Sequence, residues 1–288
     1  MTQIIPSDYS FPHYLAAKKS VDDRALNDQI WQMLEQLLPK TSLQVLEIGA
    51  GIGTMVERII ERQLFDSEVT YTAIDAAAAN INEAHRRLHT PPDYFTLQLE
   101  ALDLFDFAAR EQGQHAWDLL IAHAFLDLVD VVQTMPILFS MLKPGGIFYF
   151  TLNFDGSTIF QPVIDPDIDH KIIDLYHDTM DQRLIHGRPS GDSRTGRHMF
   201  NRIQAAGGDL LAAGSSDWVV FAGKDGYAAG EAYFLHFIIH TIHQALQGHP
   251  DLDSSFFEAW ITQRHAQIKA GTLVYIAHQL DFLGRLPI

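Results

Sequence analysis

The sequence predicts an α/β fold: a doubly wound, mostly parallel seven-stranded sheet with helices on both faces and a helical cap built from insertions. Three observations predict it. Between residues 43 and 153, short apolar runs alternate with amphipathic stretches of helical period. The short runs are apolar at consecutive positions, as in strands covered on both faces. The first of them ends in a glycine triplet, where a parallel sheet of this kind turns into its first crossover helix.

In order, SVDDRALNDQIWQMLEQLL sets Leu26, Ile30, Leu34, Leu37 and Leu38 on one face, and Ser20 with Asp23 has capping-box spacing, which predicts one helix before the first strand. QVLEI reads as a buried strand, TMVERIIERQL as a helix, EVTYTAI as a strand, NINEAHRRL as a helix, and YFTLQL and DLLIAHA as two further strands. The helix VVQTMPILFSML, the turn KPGG and the strand IFYFTLN complete a five-strand series. After Asn153 the rhythm changes. The stretch to residue 193 is turn-rich with one helix and no obvious strand, and it reads as an insertion over the sheet. The helix RTGRHMFNRIQAAG, a strand near DLLAAGSSDWVVF, two long helices from Glu231 to Lys269 and a last strand TLVYIAHQLDF finish the chain.

Composition narrows the function. The 20 basic and 36 acidic side chains give a formal charge of -16, a field that repels phosphate backbones and anionic lipid and so disfavours nucleic acid or membrane partners. Cysteine is absent, which removes disulfides, Cys-ligated zinc and a thiol nucleophile. The most apolar helical stretch, YFLHFIIHTIHQAL, is interrupted by His236, His240 and His243, and the first residues lack a basic region followed by a long apolar run. A cytoplasmic protein is the resulting expectation.

The glycines stand at Gly49, Gly51 and Gly53, after an apolar run that carries one acid, Glu47. Glycine lets the chain turn tightly and lets backbone N–H groups approach a ligand beside the positive end of the next helix. A dinucleotide fingerprint needs its third glycine one residue later, where this chain has Thr54. Asp75 closes the second strand, placed to accept both hydroxyl hydrogens of a ribose.

Taken together, LEIGAGIGT, AID, LEALDLF, WDLLIAHAFLDL and LKPGGIFYF, in this order and spacing, resemble the successive motifs of class I S-adenosylmethionine-dependent methyltransferases over roughly Leu43 to Asn153. The resemblance implies that Gly49, Ala50 and Gly51 pass under the methionine and ribose portions of the cofactor. It implies that Glu47 orients the loop or the cofactor's amino group, and that Asp75, with Ala76 beside it, holds the ribose. Glu100, Ala101 and Leu102 then meet the adenine, with Asp103 as the competing acid, and Ala122 and His123 lie near the methionine part and the methyl group. Arg24, near a lid over the cofactor, pairs with the methionine carboxylate or with Asp22 or Asp23 on its own helix.

The domain reading that follows is an N-terminal helical lid at 1–40, a cofactor-binding core at 41–153, a cap insertion at 154–193, and a C-terminal part of the sheet with two inserted helices at 194–288. The expected activity is methyl transfer from S-adenosyl-L-methionine to a small-molecule acceptor by in-line displacement. Because the sulfonium already makes the methyl carbon electrophilic, the chemistry asks mainly for orientation and a dry site. His123 is the expected general base or anchor, and Asn153 and Arg194 the expected acceptor contacts. His236, His240 and His243 share a helical stripe that could bind a metal in principle, but no acid accompanies them and no metal is expected. The alternatives are a NAD(P)-dependent oxidoreductase, or a regulator that binds S-adenosylmethionine without turnover.

Overall fold

The computed structural model describes residues 6–111, 117–185 and 187–288, so the first five residues of the 1–40 segment lie outside the described residues. Two helices open the chain, α1 at Phe11–Ala25 and α2 at Asp28–Leu37. The strands and helices then alternate: β1 Leu43–Ile48, α3 Thr54–Glu61, β2 Val69–Asp75, α4 Ala78–Arg87, β3 Phe95–Ala101, α5 Leu104–Glu111, β4 Trp117–His123, α6 Val131–Met141 and β5 Leu142–Gln161. Next come α7 Pro166–Asp181, a short hairpin of β6 Leu184–Ile185 and β7 Arg188–Pro189, α8 Thr195–Ala205, β8 Asp209–Ser215, β9 Trp218–Val220, α9 Glu231–Leu246, α10 Ser254–Lys269 and β10 Val274–Arg285.

The main sheet runs β3-β2-β1-β4-β5-β10-β8, with β9 also paired to β10. Strands β1 to β5 are mutually parallel, and β10 is antiparallel to β5, β8 and β9. The strand order reverses between β1 and β4, the switch point at which open α/β sheets bind ligands beyond their carboxyl ends. Alternate residues of each central strand serve opposite cores. Val45, Leu119 and Ile121 pack with Trp31 and Leu34 of α2 and Met55, Val56 and Ile59 of α3. Leu46, Ile48 and Leu120 pack with Phe107 of α5, Met135 and Leu138 of α6 and Met199 of α8.

Two elements differ from expectation. The single N-terminal helix is two, because Leu26 takes an extended ψ of 133° and the Asn27 side chain accepts from the N–H groups of Gln29 and Ile30, starting α2 afresh. Ser20 is accordingly not a cap: it sits inside α1 and its hydroxyl donates to Glu231 at 3.0 Å. The second difference is β5, which continues to Gln161 through the region read as strandless. Its outer half pairs with the start of β10, from Phe154↔Gln279 to Gln161↔Val274. This outer part of the sheet carries a third core, where Phe154, Phe160 and Tyr275 pack with Ile172 of α7, Phe234 of α9, Trp260 of α10, and Ala17 and Val21 of α1.

One acid braces β5 where its backbone departs from the extended conformation. Leu152 has φ of +55°, a left-handed conformation costly for a residue with a Cβ. The buried Asp281 carboxylate accepts from Leu152 N at 2.8 Å and from Asn27 N at 2.9 Å, tying this point of β5 to the α1–α2 junction. Burial lifts the Asp281 pKa to about 6 against those hydrogen bonds. No described helix is long and apolar enough to cross a membrane.

Candidate active site

A cavity of about 320 Å³ lies across the carboxyl ends of β3, β2, β1 and β4. The bend after β1 forms its floor. Gly49, Gly51 and Gly53 have φ of +67°, +57° and +80°, and Ala50 N donates to Ile74 O at 2.9 Å, which clamps the bend to β2. A Cβ on Gly49 would strike the Phe125 ring, and one on Gly51 would come within 3.0 Å of Leu15 Cδ1 on α1. Both side chains line the cavity, so the missing Cβ atoms are what keep the bend and the walls apart.

Asp75 stands against this floor. Its Oδ2 accepts from Gly51 N at 2.9 Å, while Oδ1 accepts from Ala77 N at 2.8 Å and Asn80 Nδ2 at 3.1 Å. Each carboxylate oxygen has two lone pairs, so Oδ2 keeps one for a further donor. Gly49, Ala50, Gly51, Asp75, Ala76, Leu102 and His123 all line the cavity, as does Asp103, with Leu104 and Phe105 forming an apolar wall beyond it.

Other residues singled out from the sequence take different places. Glu100 is bound by Arg110, Nη1 at 2.6 Å and Nη2 at 3.1 Å, and neither it nor Ala101 belongs to the lining. Glu47 is buried behind the bend, where the Tyr71 hydroxyl donates to it at 2.8 Å. Burial pushes its pKa up to about 8, beyond what Tyr71 and Arg58 can offset, so the carboxyl is largely protonated at neutral pH. Ala122 is buried in the sheet. Asn153 donates to Leu280 O at 2.9 Å, Arg194 is exposed at the start of α8, and Arg24 pairs with the buried Glu231; none of the three lines the cavity. The histidine stripe disperses: His236 Nδ1 meets His265 Nδ1 at 2.8 Å, His240 stacks on Tyr9, and His243 reaches Glu258.

At the β4 end a helix closes the cavity. Phe11, Leu15 and Lys18 of α1 line it, and Asp22 sits one turn further on. Asp22 is buried and takes three donors: Lys18 Nζ at 2.9 Å, His123 Nε2 at 3.2 Å, and Trp218 Nε1 at 2.9 Å. Burial alone would raise its pKa, but Lys18 and then His123 outweigh it and hold the carboxyl well below the usual carboxylate range. Burial also lowers the His123 pKa to about 4, more than Asp22 can restore, so the imidazole is neutral. Its tautomer follows. A carboxylate only accepts, so Nε2 carries the hydrogen, and Nδ1 accepts from the Thr151 hydroxyl at 2.7 Å. Both ring nitrogens are engaged. The following residue, Ala124, has φ of +49° and donates to Thr151 O at 2.8 Å, a strained turn held at the cavity wall.

The sequence pattern did not single out Phe11, Leu15 and Lys18, and Asp22 entered only as an alternative partner of Arg24. Their spacing of four, three and four residues puts them on one helical face, which is the signal that could have found them.

A protein-family model described as a methyltransferase domain matches residues 46–148, a little over a third of the 288-residue chain. Highly reducing polyketide synthase verA from Penicillium polonicum is 28% identical over 134 residues, covering 45% of this chain and 5% of that protein. Methyltransferase calH from Penicillium decumbens is 34% identical over 119 residues, covering 38% of this chain and 31% of that protein. The chain thus spans less than a third of the length of these curated relatives. Among solved structures, a candidate methyltransferase from Bacillus halodurans C-125 shares the fold with a TM-score of 0.53 at 9% identity, covering 91% of this chain and 100% of that chain. The matched segment, which is similar to a methyltransferase domain, holds the glycine bend, Asp75 and His123, residues that line the cavity at the switch point.

Proposed function

We propose that this chain transfers a methyl group from S-adenosyl-L-methionine to a small-molecule acceptor. The observation that carries the reading is the contact of Gly51 N with Asp75 Oδ2 at 2.9 Å, which joins a side-chain-free bend and a ribose-competent acid on one cavity wall. The donor set fits the cofactor. The bend offers backbone without Cβ atoms, Asp75 offers a free lone pair to a sugar hydroxyl, and Leu102, Leu104 and Phe105 offer an apolar slot for a nucleobase, with Asp103 beside it. Glu47 supports the bend from behind through its bond to Tyr71.

When bound, S-adenosylmethionine supplies a methyl carbon made electrophilic by a sulfonium. The chain's own contribution is orientation and exclusion of water. Helix α1 seals the β4 end, and its seal is a set of buried contacts: Asp22 to His123, Lys18 and Trp218, and Asp23 to the buried Arg58 at 2.6 Å. In this closed arrangement His123 acts as a positioning residue that holds α1. It becomes a proton acceptor only when Thr151 releases Nδ1, the ring nitrogen that carries no hydrogen. About 320 Å³ is near the lower end of ligand pockets, roughly 300–1,000 Å³, so one ligand fills it and the acceptor enters by displacing α1 from the third core.

Titration calorimetry with S-adenosylhomocysteine and NADH tests the cofactor. Tight binding of the first and none of the second is expected, and the reverse would overturn the reading in favour of an oxidoreductase. Labelled methyl transfer, assayed across oxygen, nitrogen and carbon acceptors, tests turnover. Binding without transfer to any acceptor class would instead support a non-catalytic regulator.

A further inference from the structure

We infer that Asp127 anchors the methyl acceptor, and that the acceptor carries a neutral hydroxyl group whose hydrogen bond the Asp127 carboxylate accepts at the seam between α1 and α7. This rests on the methyltransferase reading and names an acceptor class for it. Among the described residues, Asp127 Oδ1 is the one carboxylate oxygen that is buried without a hydrogen-bond partner. Such an atom is costly to a fold, because it has left water and gained no donor in return. Asp127 belongs to the loop after β4, between Phe125 and Leu128, which both line the cavity. It does not line the cavity itself while α1 is closed.

The neighbouring cations are spent elsewhere. Arg183, two residues beyond α7, donates to the main chain: Nη2 to Asp127 O at 3.3 Å and Nε to Ser190 O at 2.7 Å. The Ser190 hydroxyl donates to Leu128 O at 2.7 Å, so the backbone of the loop is held and the carboxylate is spared. Lys18 is bound to Asp22 at 2.9 Å. Burial raises the Asp127 pKa, and Lys18 and Arg183 offset this only in part. Asp127 adds in turn to the raised pKa values of Tyr14 on α1 and Tyr176 on α7, both set mainly by burial, which puts the acid at the seam of those two helices. The Tyr14 ring stacks on Phe237 at 4.2 Å and so ties α1 to α9. Displacing α1, which a cavity of about 320 Å³ requires once one ligand fills it, uncovers Asp127 between two tyrosine rings.

The same surroundings choose the donor. A carboxylate takes hydrogen bonds and gives none, so its ligand must bring an O–H or an N–H. A free amine arrives at neutral pH as an ammonium, and it would meet the charges of Lys18 and Arg183 beside Asp127. A hydroxyl donates without that repulsion.

The test is a ligand-observed NMR titration of the full chain saturated with S-adenosylhomocysteine, with three probes of one shape: benzyl alcohol, benzylamine and toluene. Wild type should bind benzyl alcohol roughly 10- to 100-fold more tightly than toluene, the scale of a hydrogen bond to a charged group, and more tightly than benzylamine. Asp127→Leu should bind benzyl alcohol and toluene alike, while Asp127→Asn, which keeps an acceptor oxygen, should hold part of the preference. Neither variant should melt below wild type, because no described group donates to Oδ1. Equal affinity of wild type for benzyl alcohol and toluene would overturn the inference, as would an undiminished preference in Asp127→Leu. Tighter binding of benzylamine than of benzyl alcohol would overturn the hydroxyl assignment. A marked loss of stability in both variants would assign the acid to the fold and overturn the inference as well. Failure of wild type to bind S-adenosylhomocysteine at all is a separate result, and it would bring down the cofactor reading itself.

Discussion

His123 Nε2 lies 3.2 Å from Asp22 Oδ2, joining the tip of β4 to a helix 101 residues earlier in the chain. Asp22→Asn removes the carboxylate charge and leaves the Lys18 ammonium buried without its counter-charge. Removing one partner of a buried pair typically costs about 3–5 kcal/mol. Urea unfolding should show a loss of that order, and hydrogen exchange should place the loss in α1. A change under about 1 kcal/mol would mean that α1 is not held by this network.

Much of this arrangement was legible in the sequence, for physical reasons. Strands β1 to β5 showed because both faces are buried, which leaves unbroken apolar runs such as Val45–Ile48 and Leu119–Ala122. The glycine bend and Asp75 showed because few other residues can serve a tight turn or a ribose there. The part of α1 before Ser20 did not, since its inward face includes Lys18, and apolar periodicity reads a buried charge as solvent-facing. Whether Glu100 or Asp103 meets the cavity depends on Arg110 in the last turn of α5, a pairing that no local pattern of strand or loop displays. The outer half of β5 stayed hidden because Asp155, Gly156 and Ser157 interrupt its apolar run.

Glu47 gives stability a specific pH dependence. Its pKa is raised from 4.5 to about 8, so between those values the native state holds a proton that the unfolded chain has released, and this contribution is lost as pH rises through about 8. Glu47→Gln keeps an acceptor for Tyr71 without a titrating proton. The variant should gain stability over wild type at pH 8 and gain little at pH 5, read as melting temperatures in matched buffers.

The acid limb has the opposite sign. Burial lowers His123, His236 and His265 from 6.5 to about 4, so between those values the unfolded chain binds more protons and stability falls as pH drops. His236→Phe, which fills the same core without a titrating ring, should flatten the fall between pH 6.5 and 4 in denaturant titrations. An unchanged slope would exclude His236 as a source.

Gly51→Ala should separate binding from folding. The residue has φ of +57°, and the new Cβ would come within 3.0 Å of Leu15 Cδ1. A left-handed alanine costs about 1–2 kcal/mol, so a melting point lowered by several degrees is expected. The same methyl enters the cavity floor, and calorimetry should show S-adenosylhomocysteine affinity reduced by about tenfold or more. Full affinity would mean the ligand does not cross the bend.

In the third core, Asp169 accepts from Trp260 Nε1 at 2.5 Å and from the fully buried Arg264 at 2.7 Å. Asp169→Ala strands the guanidinium, at a cost of about 3–5 kcal/mol. Hydrogen exchange should rise first in α7 and α10, with the central strands β1 and β4 unaffected at the same denaturant concentration.

Strands β5 and β10 are each one continuous piece of backbone, yet one half of each serves the parallel sheet and the other half serves the helical layer. A transplant that exchanged the helical layer wholesale would have to cut through paired main chain and would damage the nucleoside platform along with it. Tailoring such a scaffold to a different guest is therefore a matter of repainting side chains on α7, α9 and α10 above a β5–β10 pairing left intact.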